Sequence, residues 1–444
     1  MRFAIISIGT ELNLGLILNT NSKYIAESLA ELGLECNYMF TVRDNECDII
    51  DVVNEGLKRS DILILSGGLG PTDDDITRDA VARALNLKLV KDLTLDDTSL
   101  RFTKRIQNSE LVEKLKQGLL RQSFIPEGAL PIKPRIGSAA GFIVKLNKEK
   151  ENKWKENKWL FSIPGVPKEM KSMFDFDVLP YLKNILNSIK ESKRECGSEQ
   201  DLFIKKTEIL TTDISESETE LKIKDIKVMA KNLNVEIGIT ATPGLIKLIL
   251  ISKSHDLSVG DKNLSLIEGK IRDVMGDYVY GAGISSMGDN LKDVIDKKDR
   301  KITISAAESI TGGLISSIIT DTPGSSNYFL GSIISYSDFA KSKILGVDKN
   351  LINEKGAVSS EVCLNMALGV KNIFNSDFAV SVTGIAGPDS PEKNKQVGLV
   401  YCAVVGPNNY QELFEKNFIG SRTEIKFRTA QFILNRLRVA VKRL

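Results

Sequence analysis

The sequence predicts a multidomain α/β protein, on three observations. Apolar runs ending in glycine turns alternate with segments of helical period up to about residue 170. The pattern restarts after a polar stretch near residue 190 and again after Gly276. A chain of 444 residues exceeds what one ordinary core holds, and 42% hydrophobic with 27% charged residues is the composition of a folded globular chain.

Phe3 to Ile8 reads as a buried strand running into Gly9, and Ile25, Ala26, Leu29 and Leu32 give Asn21–Leu32 a helical stripe. Asp61 to Ser66 is a second apolar run. It enters Gly67-Gly68-Leu69-Gly70-Pro71-Thr72, and a helix is expected from Thr77 to Leu85. Strand, glycine turn and helix in that order mark a parallel sheet that binds ligands at the carboxyl ends of its strands. Asn147–Lys158 reads as an exposed loop, Trp159 to Ile163 as a strand closed by Pro164-Gly165, and Ser188–Glu199 as a linker. Strands with a helix over Glu216–Leu233 form a small middle α/β domain, followed by a helix over Ser258–Met275. The last part places helix Asp289–Asp296, strand Lys301–Ala306, helix Ser360–Phe374, strands Asp377–Val382 and Val397–Val405, and a closing helix Ile425–Val441. The expected domains are 1–175, 176–283 and 284–444.

Composition removes several chemistries. The single histidine, His255, lies in a polar run, which argues against a Ser-His-Asp triad and rules out a histidine-rich zinc site. A nucleophilic serine must then take its base from lysine or a carboxylate. Five scattered cysteines without a Cys-x-x-Cys pair suggest reduced, mostly buried thiols in a cytoplasmic protein. The net charge of +2 gives nucleic acid no general attraction. No apolar run reaches the roughly 18 residues of a membrane span, and Met1–Gly9 is too short to be a signal peptide.

Two constellations remain. In the first, the glycines of 67–70 let backbone N–H groups approach a phosphate at a helix start. Asp73, Asp74 and Asp75 would repel a bare phosphate, so a divalent cation bridging carboxylate and diphosphate makes sense of the run; an Asp-rich helix cap accounts for it equally well. Glu11 and Asp44 are expected at the same sheet edge. The second gathers Ala306-Ala307-Glu308-Ser309-Ile310-Thr311-Gly312-Gly313, Pro323-Gly324-Ser325-Ser326 and Tyr336-Ser337-Asp338-Phe339-Ala340-Lys341. Read without further context, its serines are turn or cap residues and its lysine is solvated.

Ile8-Gly9-Thr10-Glu11-Leu12, Asn19-Thr20-Asn21, Gly67 to Thr77 and Ile163 to Met170 closely resemble the CinA (competence/damage-inducible protein) family, over nearly the whole chain. The resemblance implies an N-terminal domain of molybdopterin-binding-like α/β/α fold, associated with metal-dependent ADP-ribose pyrophosphatase activity. It makes Glu11, Asp44, Asp74 and Asp75 candidates for a divalent metal, and Asn19, Asn21, Gly68, Gly70 and Thr72 candidates for nucleotide contacts. In the C-terminal part, Ala307–Gly313, Pro323–Ser326, Tyr336-Ser337, Ala340-Lys341, Gly356-Ala357-Val358-Ser359 and Thr383–Pro388 resemble the family's amidase domain, which also exists alone as nicotinamide-nucleotide amidase.

The implied reaction hydrolyses nicotinamide mononucleotide to nicotinate mononucleotide and ammonia, with no cofactor. Amides are poor electrophiles and need an activated nucleophile with donors for the oxyanion. Ser326, ending a glycine turn, is the chosen nucleophile, with Ser309 and Ser325 still open. Lys341 is the base, and Tyr336 relays the proton or orients the lysine. Ser309, Thr311, Ser325 and Thr383 would hold substrate, with the N–H groups of Gly312 and Gly313 as further donors. Glu308 is alternatively a buried partner that positions a hydroxyl. Ile310 stands where the family commonly has cysteine, and the loop 389–396 lacks the usual glycine run, which bears on substrate binding. Small-molecule nucleotides are the expected partners and a homodimer the expected assembly. The alternative is a nucleotide-binding protein of the molybdopterin-binding type with one or both sites inactive; a DNA-uptake partner finds no support in the charge.

Overall fold

The computed structural model describes residues 1–32, 34–95, 118, 120–146, 158–195, 203–283, 285–390 and 394–444. It divides into two compact units, Met1–Ile204 and Lys205–Leu444.

In the first unit the strands are β1 (Phe3–Ile8), β2 (Cys36–Val42), β3 (Ile62–Ser66), β4 (Leu89–Lys91), β5 (Phe124–Pro126), β6 (Leu130–Ile132), β7 (Gly141–Leu146) and β8 (Lys158–Ile163). Six of them form one sheet of order β2-β1-β3-β8-β7-β6, parallel from β2 to β8 and antiparallel at β7 and β6. Every residue of β1, β3 and β8 is buried, as a parallel sheet covered on both faces requires. Alternate residues serve opposite cores: Ala4 and Ile6 pack with Ile49 and Val53 of helix Glu46–Arg59, while Phe3 and Ile5 pack with Ile25, Leu29 and Phe174. The chain leaves β1 for β2 on one side and reaches β3 on the other. This topological switch opens a crevice beyond the strands' carboxyl ends.

The expected boundary at 175 falls inside a continuous helical run, Pro167–Met173, Phe174–Val178 and Leu179–Glu195. Its last helix also occupies the expected linker up to Glu195; the remainder of that linker, including Cys196, and the loop 147–157 lie outside the described residues.

The second unit carries two sheets. Strands β9 (Phe203–Thr211), β10 (Val235–Thr242), β11 (Leu245–Ser254) and β12 (Val279–Ala282) form a sheet of order β10-β11-β9-β12. Helices Glu216–Asn232 and Leu257–Met275 pack on it through Ile223, Ile226, Leu264, Ile267 and Ile271. Strands β13 (Ile304–Glu308), β14 (Phe329–Ile334), β15 (Phe378–Gly384), β16 (Leu399–Val405) and β17 (Gln411–Asn417) form a sheet of order β14-β13-β15-β16-β17. Here β14, β13 and β15 are parallel and the other two antiparallel. Helix Arg422–Arg443 covers one face and helix Ser360–Phe374 the other. Leu210 and Tyr280 of the first of these sheets belong to the same apolar cluster as Met287, Leu291 and Ile304. The expected boundary at 283 therefore falls within one packed unit.

Candidate functional site

In the first unit the crevice is a cleft of about 430 Å³ that gathers Glu11, Asn19, Asn21, Asp44, Gly68, Gly70, Asp74 and Asp75 at one sheet edge. Thr72 sits beside it and donates its hydroxyl to Asp75 and Asp74. The glycine loop cannot carry side chains: at Gly68, with φ +65°, a Cβ would meet Thr77 Oγ1 at 2.1 Å, and at Gly70 it would meet Asp75 Oδ2 at 2.4 Å. Both asparagines build the cleft wall. Asn19 accepts from Ser22 N–H at 3.0 Å as a helix cap, and Asn21 donates to Ser66 Oγ at 3.0 Å and Gly165 O at 2.7 Å.

The carboxylates line the cleft without converging. Asp44 accepts from Thr10 N–H and Oγ1 at 2.8 and 2.9 Å, Asp75 is engaged by Thr72, and among the described residues no three acidic, histidine or cysteine side chains are close enough to hold a metal ion. Among the described residues these side chains do not by themselves form a three-ligand metal cage. Beneath the loop, buried Arg78 donates to Leu69 O at 2.5 Å and to Ala140 O at 3.4 Å; burial pulls its pKa down to about 10. Glu169, also lining the cleft, is raised by burial. Sequence reasoning missed both. Arg78 directly follows the glycine loop's helix start, but nothing in its spacing distinguishes a buried guanidinium from a surface one.

In the second unit the chemistry gathers where β13 and β14 end. Glu308 closes β13, is 0% exposed, and accepts from six donors. These are the N–H groups of Gly313, Ile315 and Ser316 and the hydroxyls of Thr311, Ser316 and Ser332, at 2.6–3.3 Å. The carboxylate thus neutralises the start of helix Leu314–Thr320 and shapes the turn after Ser309. Thr311 and Gly313, expected to hold substrate, are spent on Glu308 through hydroxyl and N–H. The N–H groups of Ile310 and Gly312 donate to no group among the described residues.

Lys341 lies on helix Asp338–Lys343, which Ser337 caps by accepting from Ala340 N–H at 3.2 Å. Only 2% of Lys341 is exposed. Its Nζ is 3.2 Å from Ser309 Oγ, 3.0 Å from Ser335 O and 3.3 Å from Tyr336 O. Burial lowers its pKa, opposed only by Asp338. A neutral amine has two N–H groups and one lone pair; the two carbonyls take the hydrogens and leave the lone pair for the Ser309 hydroxyl.

The geometry departs from several expectations. Ser326 does not meet Lys341 within the chain. It is exposed in the turn Ser325–Asn327 before β14, whereas Lys341 follows β14, so the six residues of the strand, roughly 20 Å, separate them. Ser325 lies at the same far edge. Tyr336 meets Lys341 through its carbonyl, which suits the orienting role of the two expected for it, while its hydroxyl accepts from Arg422 Nη2 at 3.3 Å. Thr383 is buried and donates to Ala357 O at 2.9 Å. Of the loop 389–396, residues 391–393 lie outside the described residues.

A family model described as the CinA C-terminal domain matches residues 288–441, and one described as a probable molybdopterin binding domain matches residues 4–184. A competence-damage inducible protein of Halothermothrix orenii is 38% identical over 96% of this chain and 95% of its own length. The chain belongs to the CinA family. A CinA-like protein of Kosmotoga olearia is 36% identical over 99% of both chains. Among solved structures, the competence/damage inducible protein CihA of Agrobacterium tumefaciens is 34% identical, with a TM-score of 0.34, covering 35% of this chain and 96% of that one.

Arg422 was not legible in the sequence either. It opens the last helix, 86 residues from Tyr336, and donates to Gly387 O at 2.7 Å as well as to the tyrosine. It sets a guanidinium against the Tyr336 hydroxyl. Cys363 and Cys402 are buried, and burial pushes Cys363 up to about 12. Cys47 is exposed and Cys36 partly so, making the thiols less uniformly buried than expected. No described helix is long and apolar enough to cross a membrane.

Proposed function

We propose that the C-terminal site is a serine–lysine amidase acting on nicotinamide mononucleotide. The observation that carries this reading is the buried Lys341 Nζ, 3.2 Å from Ser309 Oγ and bonded otherwise, among the described residues, to two carbonyls. Neutral Lys341 takes the Ser309 proton as Oγ adds to the carboxamide carbon. The N–H of Ile310, next after the nucleophile, and that of Gly312 are the donors for the oxyanion. The tetrahedral intermediate collapses as Lys341 returns its proton to the leaving nitrogen, releasing ammonia and leaving a nicotinoyl ester on Ser309. Water, deprotonated by Lys341, then adds to the ester carbon and frees nicotinate mononucleotide with the proton restored to Ser309. Arg422 is suited to the substrate's phosphate.

In the N-terminal cleft we assign binding of a nucleotide diphosphate such as ADP-ribose, held by glycine-loop N–H groups above the buried Arg78. Hydrolysis of that diphosphate is the family-implied activity, but the scattered carboxylates favour binding alone. The experiment is ammonia release from nicotinamide mononucleotide by wild type and Ser309→Ala. Loss of at least a hundredfold supports Ser309 as nucleophile; unchanged release from the variant refutes it, and no release from folded wild type refutes the amidase.

A further inference from the structure

The last helix has a face that the amidase geometry leaves unused. Thr423, Phe427 and Gln431 recur at four-residue spacing and so form one stripe of helix Arg422–Arg443. The turn of the β10–β11 hairpin rests on the same stretch: a Cβ on Gly244 would lie 3.3 Å from Arg428 Cα and 3.6 Å from Phe427 Cδ1. Two cavities open along this seam. The outer one, about 810 Å³, is walled by Pro243, Leu314 and Phe427 and reaches Gly312 and Gly313. The inner one, about 320 Å³, ends on Gln431. Leu245 and Phe427 line both, so the two cavities meet at these side chains. Ser309, Tyr336, Lys341 and Arg422 line neither.

Most polar groups of the seam are already engaged. In the inner cavity Lys247 pairs with Glu208 at 2.7 Å, Ser285 donates to Ala282 O at 2.7 Å, and Ser286 donates to Asp289 at 2.8 Å. Gln431 is the exception. It is 5% exposed, and its Oε1 has no hydrogen-bond partner among the described residues. A buried amide left unpaired is costly, and this one faces a cavity where a ligand can pair with it. In the outer cavity Glu424 accepts from Ser421, and the one cation among the described lining residues is Lys426. Its Nζ would lie 3.7 Å from a Cβ on Gly312.

We propose that this seam is an effector site for a nucleoside monophosphate whose occupancy lowers amidase turnover. The Gln431 amide carries an acceptor beside two donors, the complement of a nucleobase edge that presents a donor next to an acceptor. Phe427, Leu245 and Pro243 supply apolar cover for the ring. The phosphate belongs at the outer end, because Asp321 lines the inner cavity and would repel it, whereas Lys426 attracts it. Five helical residues, a rise of about 7.5 Å, separate Gln431 from Lys426, and a ribose bridges that span between base and phosphate. Binding stands on these contacts alone; the effect on turnover rests on the amidase reading. The Lys426 ammonium favours an oxyanion held by the Gly312 N–H, and a phosphate on Lys426 cancels that charge.

The test titrates adenosine monophosphate by calorimetry into the full-length Gly68→Ala protein, so that the N-terminal cleft does not contribute. One site should appear, weakened at least tenfold by Gln431→Leu and, separately, by Lys426→Gln. Adenosine and inorganic phosphate, each using one end of the seam, should also bind at least tenfold more weakly. Gln431→Leu replaces an unpaired amide by an apolar group of similar size, so it should unfold in urea no earlier than its parent. No binding at millimolar nucleotide, binding that survives Gln431→Leu, or inorganic phosphate binding as well as the nucleotide overturns the site. In the amidase assay, adenosine monophosphate should lower kcat at least twofold with KM for nicotinamide mononucleotide unchanged. Gln431→Leu should keep wild-type kcat and lose the inhibition. A rise in KM alone puts the nucleotide in the substrate pocket and overturns the effector role, as does full activity at saturation. If wild type releases no ammonia, the amidase reading falls and the calorimetry still decides the site.

Discussion

Replacing Lys341 by alanine tests the catalytic reading most directly. The side chain holds its Nζ against Ser309 Oγ at 3.2 Å in an almost fully buried pocket, with no carboxylate bonded to it among the described residues. A positioned general base is worth about 10²–10⁴-fold in rate, or roughly 3–5 kcal/mol at 1.36 kcal/mol per decade. Lys341→Ala should therefore lower kcat for formation of nicotinate mononucleotide, followed by chromatography, by at least a hundredfold. Wild type should show a matching pH dependence. The reaction needs the neutral amine, and burial lowers the lysine pKa. Activity should then rise about tenfold per pH unit on the acid side and level off above that lowered pKa, below the ordinary lysine range near 10.4. Truncation also leaves a slot the size of an alkylamine, so ethylamine should restore part of the rate, with its own basicity setting the new pH profile. A variant retaining more than a tenth of wild-type kcat, or a wild-type profile with no acid limb, would refute the dyad.

Four further outcomes follow from other features of the two sites. Glu308→Gln cannot accept from all six donors with one carbonyl, so it should lose about 3 kcal/mol or more in urea unfolding; a loss under 1 kcal/mol would show that the turn stands without the carboxylate. Arg422→Ala should raise KM for nicotinamide mononucleotide about tenfold while leaving that for the uncharged nicotinamide riboside unchanged, measured by steady-state kinetics; equal effects on both would remove the phosphate role. Gly68→Ala, whose Cβ would lie 2.1 Å from Thr77 Oγ1, should abolish ADP-ribose binding in calorimetry without touching the amidase. Wild-type binding should survive EDTA within about twofold; complete loss on chelation would show a resident metal.

What the sequence made legible is local. Phe3–Ile8 and Ser360–Phe374 are the elements their periodicity predicts, residue for residue, and Thr77–Ala84 ends one residue short, because uninterrupted apolar runs and helical stripes are signals carried within a few residues. The N-terminal cleft was legible for the same reason: its glycine loops follow strands, and parallel strands end at one edge. The choice of Ser326 failed at the step where order along the chain had to become position in space. Ser326 and Lys341 are near in sequence, but β14 lies between them, and a strand carries its two ends to opposite edges of the sheet. Ser309, farther from Lys341 in sequence, follows β13, which runs parallel to β14, so the residues after both strands share an edge. A glycine turn before a strand and one after it look alike in sequence; only their side of the strand tells which can reach a base on the following helix.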